Sequence, residues 1–431
     1  MNQTFYPLQQ GSQGPYVEML QLALTRADTN PGFIDGVFGR ITNRAVILFQ
    51  KRNGLTPDGI VGPKTADAII PYITGYVPVT IQQGDSFYRL ARRYNTTTEA
   101  IINANPEADP LNIFPGQRIN VPLNFNIVPT AISYTALLNH YCLQGLRARY
   151  PFITLNTIGR SRLNTPLTVA TIGAGSRHVF YNAAHHANEW ITIPILLKFL
   201  EDYARAYTNN TTIYDTDAKE LFNTATIHIL SLVNPDGVDL VTGALNNTIA
   251  YQRALQIANN YPDIPFLEGW KANIEGTDLN LNYPALWETA KEIKYNQGFT
   301  TPAPRDFVGT APLSAPESQA VYNYTLNNNF ALTISYHTQG RVIYWKFADF
   351  MPPKSRAFGE TFSRLSGYAL EDTPYSSAFA GYKDWFIQNY NRPGYTMEAG
   401  RGLNPLPISQ FPGIYKENLG VLVYGALGKM L

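Results

Sequence analysis

The sequence predicts a multidomain chain: a small all-α unit, a compact β-α-α-β unit, and a large α/β unit built on one central mixed sheet. Three observations carry this reading. The pattern Asp-Gly-x-x-Gly-x-x-Thr occurs at Asp35–Thr42 and returns at Asp58–Thr65, 23 positions later. Residues 76–123 read as strand, helix, helix, strand in under 50 positions. From 130 to 431, helical and strand patterns alternate, as expected for helices laid on a sheet.

In residues 1–74, Val17, Leu20 and Leu24 share one helical face, which predicts a helix over Tyr16–Thr25. Each copy of the repeat is a glycine turn followed by a threonine able to cap a helix, so helices are expected over Thr42–Arg52 and Thr65–Ile70. A calcium loop is excluded because each copy offers too few carboxylates. In residues 76–123, Val77, Val79 and Ile81 alternate as a strand and Gly84-Asp85-Ser86 forms a turn and cap. Phe87, Leu90, Ala91 and Tyr94 then fit one helical face, a short helix follows over Glu99–Asn103, and Arg118–Val121 closes as a strand. Pro122–Pro129 reads as a linker. In residues 130–431, helices are expected at 131–149, 190–207 and 315–328. Strands are expected at 166–173, 178–182, 226–232, 331–336 and 341–346.

Composition narrows the function. Lys and Arg number 33 against 32 Asp and Glu, a net charge of +1, so nothing electrostatic favours nucleic acid. The single cysteine, Cys142, excludes an internal disulfide framework and a cysteine zinc site. No run of 18 apolar residues predicts a membrane span. Met1–Leu20 lacks a basic start and an apolar segment, so no secretory signal is expected; the chain either starts in the cytoplasm or has lost a leader.

The chemistry centres on Ala184-His185-His186-Ala187-Asn188-Glu189-Trp190. A histidine and a carboxylate three positions apart, His186 and Glu189, can face one side of a helical turn and share a metal ion. A catalytic zinc takes three protein ligands, and of the remaining histidines His337 is the choice, at the tip of the strand-like run Leu332–Tyr336. The preceding His178–Asn182 reads as a strand and Ile191–Tyr207 as a helix, which places the site at the carboxyl edge of an α/β sheet. Further clusters are Asn234-Pro235-Asp236-Gly237, read as a strand-end turn, then Gly269–Asn273, Gly276–Tyr283 and Gly394–Gly400. In the last of these, Glu398 ends a short β-prone run.

Taken in order, H-x-x-E-W, N-P-D-G, G-x-D-L-N, S-x-H and a late T-x-E resemble the zinc metallocarboxypeptidase family across nearly all of 130–431. The resemblance implies one zinc per chain on His186, Glu189 and His337, with Asp278 orienting a ligand histidine. It implies Glu398 as general base, Lys271 facing the developing oxyanion and Asn280 contacting substrate beyond the scissile bond. Tyr375 is the candidate for a tyrosine that closes over substrate. Three positions depart from the family pattern: Asn188 and Lys271 replace arginines, and Leu281 replaces the arginine that clamps a free C-terminal carboxylate. Lys383 and Arg401 are the cations that could reach such a carboxylate instead.

The front of the chain is similar to two cell-wall modules. Gly11–Gly14, Val17, Leu20-Gln21, the two repeats, Ala45-Val46 and Phe49-Gln50 resemble the helical peptidoglycan-binding domain over 1–74. The order G-D-S, N-P, G-Q-x-I-x-V-P resembles a LysM domain over 76–123, which implies binding of N-acetylglucosamine-containing glycan. The whole set resembles bacterial γ-D-glutamyl-L-diamino acid endopeptidases. That resemblance implies peptidoglycan glycan strands and stem peptides as partners, with a role in sporulation or wall turnover. Two alternatives stand beside it: a true carboxypeptidase acting on wall peptides, and a non-catalytic wall-binding protein.

Overall fold

The computed structural model describes residues 5–431, which divide into two compact units. One runs to Ile132 and includes Leu137–Thr154; the other comprises Ser133–Ala136 and Leu155–Leu431.

The first unit opens with helices Pro15–Arg26, Arg40–Arg52, Pro63–Ile69 and Pro71–Thr74. Their starts follow Gly14, Gly39 and Gly62, and Pro15 and Pro63 stand in the first turn, where a missing N–H costs nothing. The second and third helices therefore begin two residues earlier than the threonines predict. Thr42 and Thr65 are not caps: each hydroxyl is buried and accepts from a glutamine, Gln21 or Gln50, at 3.2 Å. Strands Tyr76–Thr80 and Arg118–Pro122 then pair antiparallel around helices Phe87–Arg93 and Thr98–Ala104, which Ser86 and Thr97 cap through their side chains. Ile81, Phe87, Leu90, Ile101, Ile119 and Val121 make the core of this βααβ module. Helix Ala136–Arg149, expected to open the large domain, falls mostly within this unit.

The second unit is organised on eight strands, numbered here in chain order. They are β1 Thr154–Arg160, β2 Pro166–Ile172, β3 Arg177–Ala183, β4 Ala225–Leu230, β5 Leu332–His337, β6 Val342–Tyr344, β7 Ala369–Glu371 and β8 Gly394–Glu398. Their order across the sheet is β7-β6-β8-β5-β3-β4-β2-β1. The sheet is mixed. β8, β5, β3 and β4 run parallel, whereas β6 against β8 and β2 against β4 are antiparallel. β4 and β5 are buried at every position, as strands covered on both faces must be. Helices Thr192–Thr208 and Phe411–Leu427 pack together and on β3.

Asn234-Pro235-Asp236-Gly237 starts helix Pro235–Val241 rather than a simple turn. Asn234 accepts from Gly237 N at 3.1 Å as the cap, and Pro235 takes the first helical place. A Cβ on Gly237 would lie 2.7 Å from Ala272 O, so the helix approaches the next loop by a distance only glycine permits.

Candidate metal centre and cleft

Three neighbouring parallel strands, β8, β5 and β3, end at the same edge of the sheet. Glu398 is the last residue of β8 and pairs in register with His337, the last of β5. Beyond Ala183, the chain leaves β3 through His185 and His186 into a 3-10 turn, Ala187–Glu189, before helix Thr192–Thr208. His186 keeps extended backbone while Glu189 lies inside the turn, so the pair spans the junction rather than one helical face. The turn is pinned from both ends: Ala187 N donates to Lys271 O at 3.0 Å, and Thr192 Oγ1 donates to Glu189 O at 2.7 Å.

His186, Glu189 and His337 converge, with candidate ligand atoms all within 4.8 Å of one another. Glu189 offers one oxygen to each histidine, Oε1 to His186 Nδ1 and Oε2 to His337 Nδ1, both at 2.9 Å. The two Nδ1 atoms face each other at 3.2 Å. His186 Nε2 donates to Asp278 Oδ1 at 3.1 Å, so a cation that displaced the Nδ1 proton would find a lone pair there. Two imidazole nitrogens aimed at each other repel unless positive charge lies between them. With a buried carboxylate completing the set, the donors fit a divalent cation of zinc's preferences.

The electrostatics agree with that fit. Burial works against a charged His186, yet Glu189 and Asp278 outweigh it and lift its pKa to about 9. Burial opposes the charge of Glu189 too, but His186, Lys271 and His337 hold its carboxyl well below the usual range. Lys271 Nζ lies 3.3 Å from Glu189 Oε1, and the neighbouring carboxylates keep it cationic against the cost of burial. Burial, reinforced by the charge of Glu189, pushes Glu398 up to about 8.

A cleft of about 720 Å³ opens over this centre. His186, Lys271, Asp278, Asn280, Leu281, Lys383 and Glu398 line it, while Glu189 and His337 lie buried at the base. Asn280 Oδ1 accepts from Tyr382 N at 3.1 Å. Lys383 is already engaged: its ammonium donates to Lys346 O at 2.7 Å and Thr373 Oγ1 at 3.1 Å, and pairs with Asp384 at 2.8 Å. Tyr375 is 71% exposed on a short turn, beside the lining residues Pro374 and Ser377 but not itself lining. Arg401 is exposed and does not line the cleft. Sequence reasoning missed Lys294, Arg305 and Asp306, all in the wall. No motif marks them: Lys294 comes from helix Trp287–Asn296, and Arg305 and Asp306 from a loop. Pro304 O accepts from both Lys271 N and Ala272 N at 2.8 and 2.9 Å.

The fold and this centre define a metallopeptidase. The chain belongs to the zinc carboxypeptidase family, whose profile matches residues 140–420. A peptidoglycan-binding domain profile matches 13–69 and a LysM profile matches 79–122. The chain is 46% identical to gamma-D-glutamyl-L-diamino acid endopeptidase 1 of Lysinibacillus sphaericus over 292 residues, covering 68% of this chain and 71% of that one. It is 39% identical to the uncharacterized protein YqgT of Bacillus subtilis over 277 residues, 63% of this chain and 72% of the other. Bovine thrombin-activatable fibrinolysis inhibitor, solved with tick carboxypeptidase inhibitor, shares the fold. The TM-score is 0.52 at 19% identity, over 68% of this chain and 96% of that chain. No helix of the described residues is long and apolar enough to cross a membrane.

Proposed function

We propose that this enzyme hydrolyses the bond between γ-D-glutamate and the following diamino acid, diaminopimelate or lysine, in peptidoglycan stem peptides. The peptidoglycan-binding and LysM modules would hold it to wall glycan strands. The observation that carries the choice over carboxypeptidase action is the wall beyond the metal donors. Leu281, 8% exposed and apolar, lines the cleft at the position where the family resemblance expects the arginine that clamps a terminal carboxylate. Lys383 is committed to Asp384, and Arg401 lies outside the cleft. A terminal carboxylate meeting Leu281 finds no arginine fork at that position. The substrate named for the Lysinibacillus sphaericus relative supports the same reading.

His186, Glu189 and His337 would hold one zinc per chain. Bound there, zinc supplies Lewis-acid polarisation of the γ-carbonyl and acidifies water toward neutral pH. Glu398, at the tip of β8, takes the proton from the attacking water and hands it to the departing amine. Its pKa of about 8 suits a group that must gain and return a proton, and a dication among the neighbouring donors draws it lower. Lys271 supplies positive charge to the tetrahedral oxyanion as a point charge rather than a fork. Asp278 holds the His186 tautomer, and Asn280 meets the diamino acid. Tyr375 closes over substrate only if its turn moves inward.

The test is mass spectrometry of tripeptide and tetrapeptide stems after digestion. Cleavage of the γ-D-glutamyl bond in both is expected, and Leu281→Arg should shift preference toward stems ending at the diamino acid. Strict dependence of the unaltered enzyme on the tripeptide's free terminus would restore the carboxypeptidase reading.

A further inference from the structure

The cleft wall holds two cations, Lys294 and Arg305, that the mechanism above leaves unused. Asp306 receives both: Lys294 Nζ at 2.6 Å on Oδ1 and Arg305 Nε at 2.7 Å on Oδ2. One carboxylate is therefore shared by two cations. Lys294 is nearly buried, its side chain 7% exposed, whereas the Arg305 side chain is 40% exposed. Arg305 spends only Nε on Asp306, and its two terminal nitrogens have no acceptor among the described residues. The guanidinium therefore presents a paired N–H edge, the shape that matches a carboxylate.

The segment that carries Arg305 is fixed rather than loose. Pro304 O accepts from Lys271 N and Ala272 N, and Asp306 N donates to Asp278 Oδ2 at 3.2 Å. Arg305 is thus tied by backbone to the two residues that flank the metal donors, and it lies near enough to Asp278 and Glu189 to feel their charge. Asn280, Leu281 and Lys383 form the wall given above to the leaving diamino acid, with Asn280 bonded to Tyr382 N. Lys271, which faces the oxyanion, shares its loop contacts with Pro304.

On the γ-D-glutamyl reading, on which this inference rests, the acyl side has a distinctive feature. The reacting carbonyl is the γ-carboxyl, so the residue still carries an α-carboxyl group four bonds away, about 5 Å when extended. An ordinary α-peptide has no carboxylate at that position. We propose that Arg305, which shares its Asp306 partner with Lys294, lies on the acyl side of the scissile bond and binds the free α-carboxylate of the γ-D-glutamyl residue. The enzyme thereby selects stems whose D-glutamate is unamidated over stems carrying D-isoglutamine.

The experiment compares L-Ala-γ-D-Glu-diaminopimelate with the same peptide bearing an α-carboxamide on the D-glutamyl residue, using the full zinc-loaded chain. The unaltered enzyme should prefer the free acid by roughly 10- to 100-fold in kcat/KM, expressed mainly in KM. Arg305→Gln should bring that ratio close to one, and Arg305→Lys, which keeps the charge and loses the fork, should fall between. Zinc content and the melting transition of each variant show that it has folded. Equal hydrolysis of the two peptides by the unaltered enzyme, or an undiminished ratio in Arg305→Gln, overturns the proposal while leaving the γ-D-glutamyl reading intact. Hydrolysis of neither peptide by zinc-loaded enzyme removes both.

Discussion

The repeat in the first unit and the metal centre in the second both bury polar side chains beneath a turn, and they treat them oppositely. In the repeat no buried side-chain polar atom among the described residues lacks a partner. Gln21 Nε2 donates to Asp35 Oδ1, Val37 O and Thr42 Oγ1, while its Oε1 accepts from Asp35 N and Gly36 N. Gln50 does the same one copy later, with Asp58 Oδ1, Ile60 O and Thr65 Oγ1 as acceptors and Gly59 N as donor. At the centre the groups conflict. Two Nδ1 atoms face each other, a carboxylate and a lysine share one corner, and His337 Nε2 is buried with no partner among the described residues. Saturated polar clusters fix a shape; clusters left in conflict are completed by something from outside the chain.

The largest expected effects break the conflicted side. His337→Ala removes one of three donors, and the purified chain should lose its zinc, measured by atomic absorption, together with its hydrolytic activity. Retention of stoichiometric zinc would mean the third ligand lies elsewhere. Glu398→Gln should keep zinc and fold yet slow hydrolysis by roughly 10²–10⁴-fold. A variant of near-normal rate would take the base role from Glu398.

The next effect falls on the saturated side. Gln50→Ala strips a buried hub and strands several donors and acceptors, costing the first unit about 2–4 kcal/mol in denaturant unfolding. Pelleting with peptidoglycan sacculi should weaken, while hydrolysis of small soluble stem peptides should hold. A parallel fall in hydrolysis would show that the two regions are not separable in the way the contrast implies.

Glu317 lies between the extremes and should give the smallest effect. It accepts from Arg162 N and Asn273 Nδ2, yet burial, aided by the charge of Asp236, raises its pKa to about 7 from a starting value of 4.5. The folded state thus retains a proton that the unfolded chain releases. The stabilisation is fully present below pH 4.5 and is lost as pH rises through 7, amounting to at most about 3 kcal/mol. Thermal melting between pH 5 and 8 should therefore slope downward from this group, and Glu317→Gln should flatten that slope. An unchanged slope would place the titrating group elsewhere.

How much of this was legible in the sequence follows the same division. The repeat was visible because a turn needs its glycines and aspartates at fixed spacing, although the role of Gln21 and Gln50 as hubs was not. The metal donors were visible because each ends or follows a strand that reads as apolar and β-branched. The cleft walls were not. Arg305 and Asp306 sit in a stretch without periodicity, held by hydrogen bonds to residues 271, 272 and 278 that no local pattern announces. Asp306 also adopts a left-handed φ of 65°, a conformation that Asp takes more readily than most residues. Lys383 and Arg401 were singled out for their nearness in sequence to Glu398. One lines the cleft but is bound to its neighbours, and the other is not among the residues that line it.

The pairing of Glu398 with His337 has a consequence for how the site could change over time. Both residues hang from rungs of one ladder, and neighbouring strands in such a ladder stand about 4.8 Å apart. The spacing between base and metal donor is thus ruled by the backbone, and loops on either side can lengthen or be exchanged without disturbing it. Inserting a single residue within β8 would instead turn Glu398 to the opposite face of the sheet. New substrates are therefore open to this scaffold through its loops, whereas the distance at which it performs its chemistry is closed to gradual adjustment.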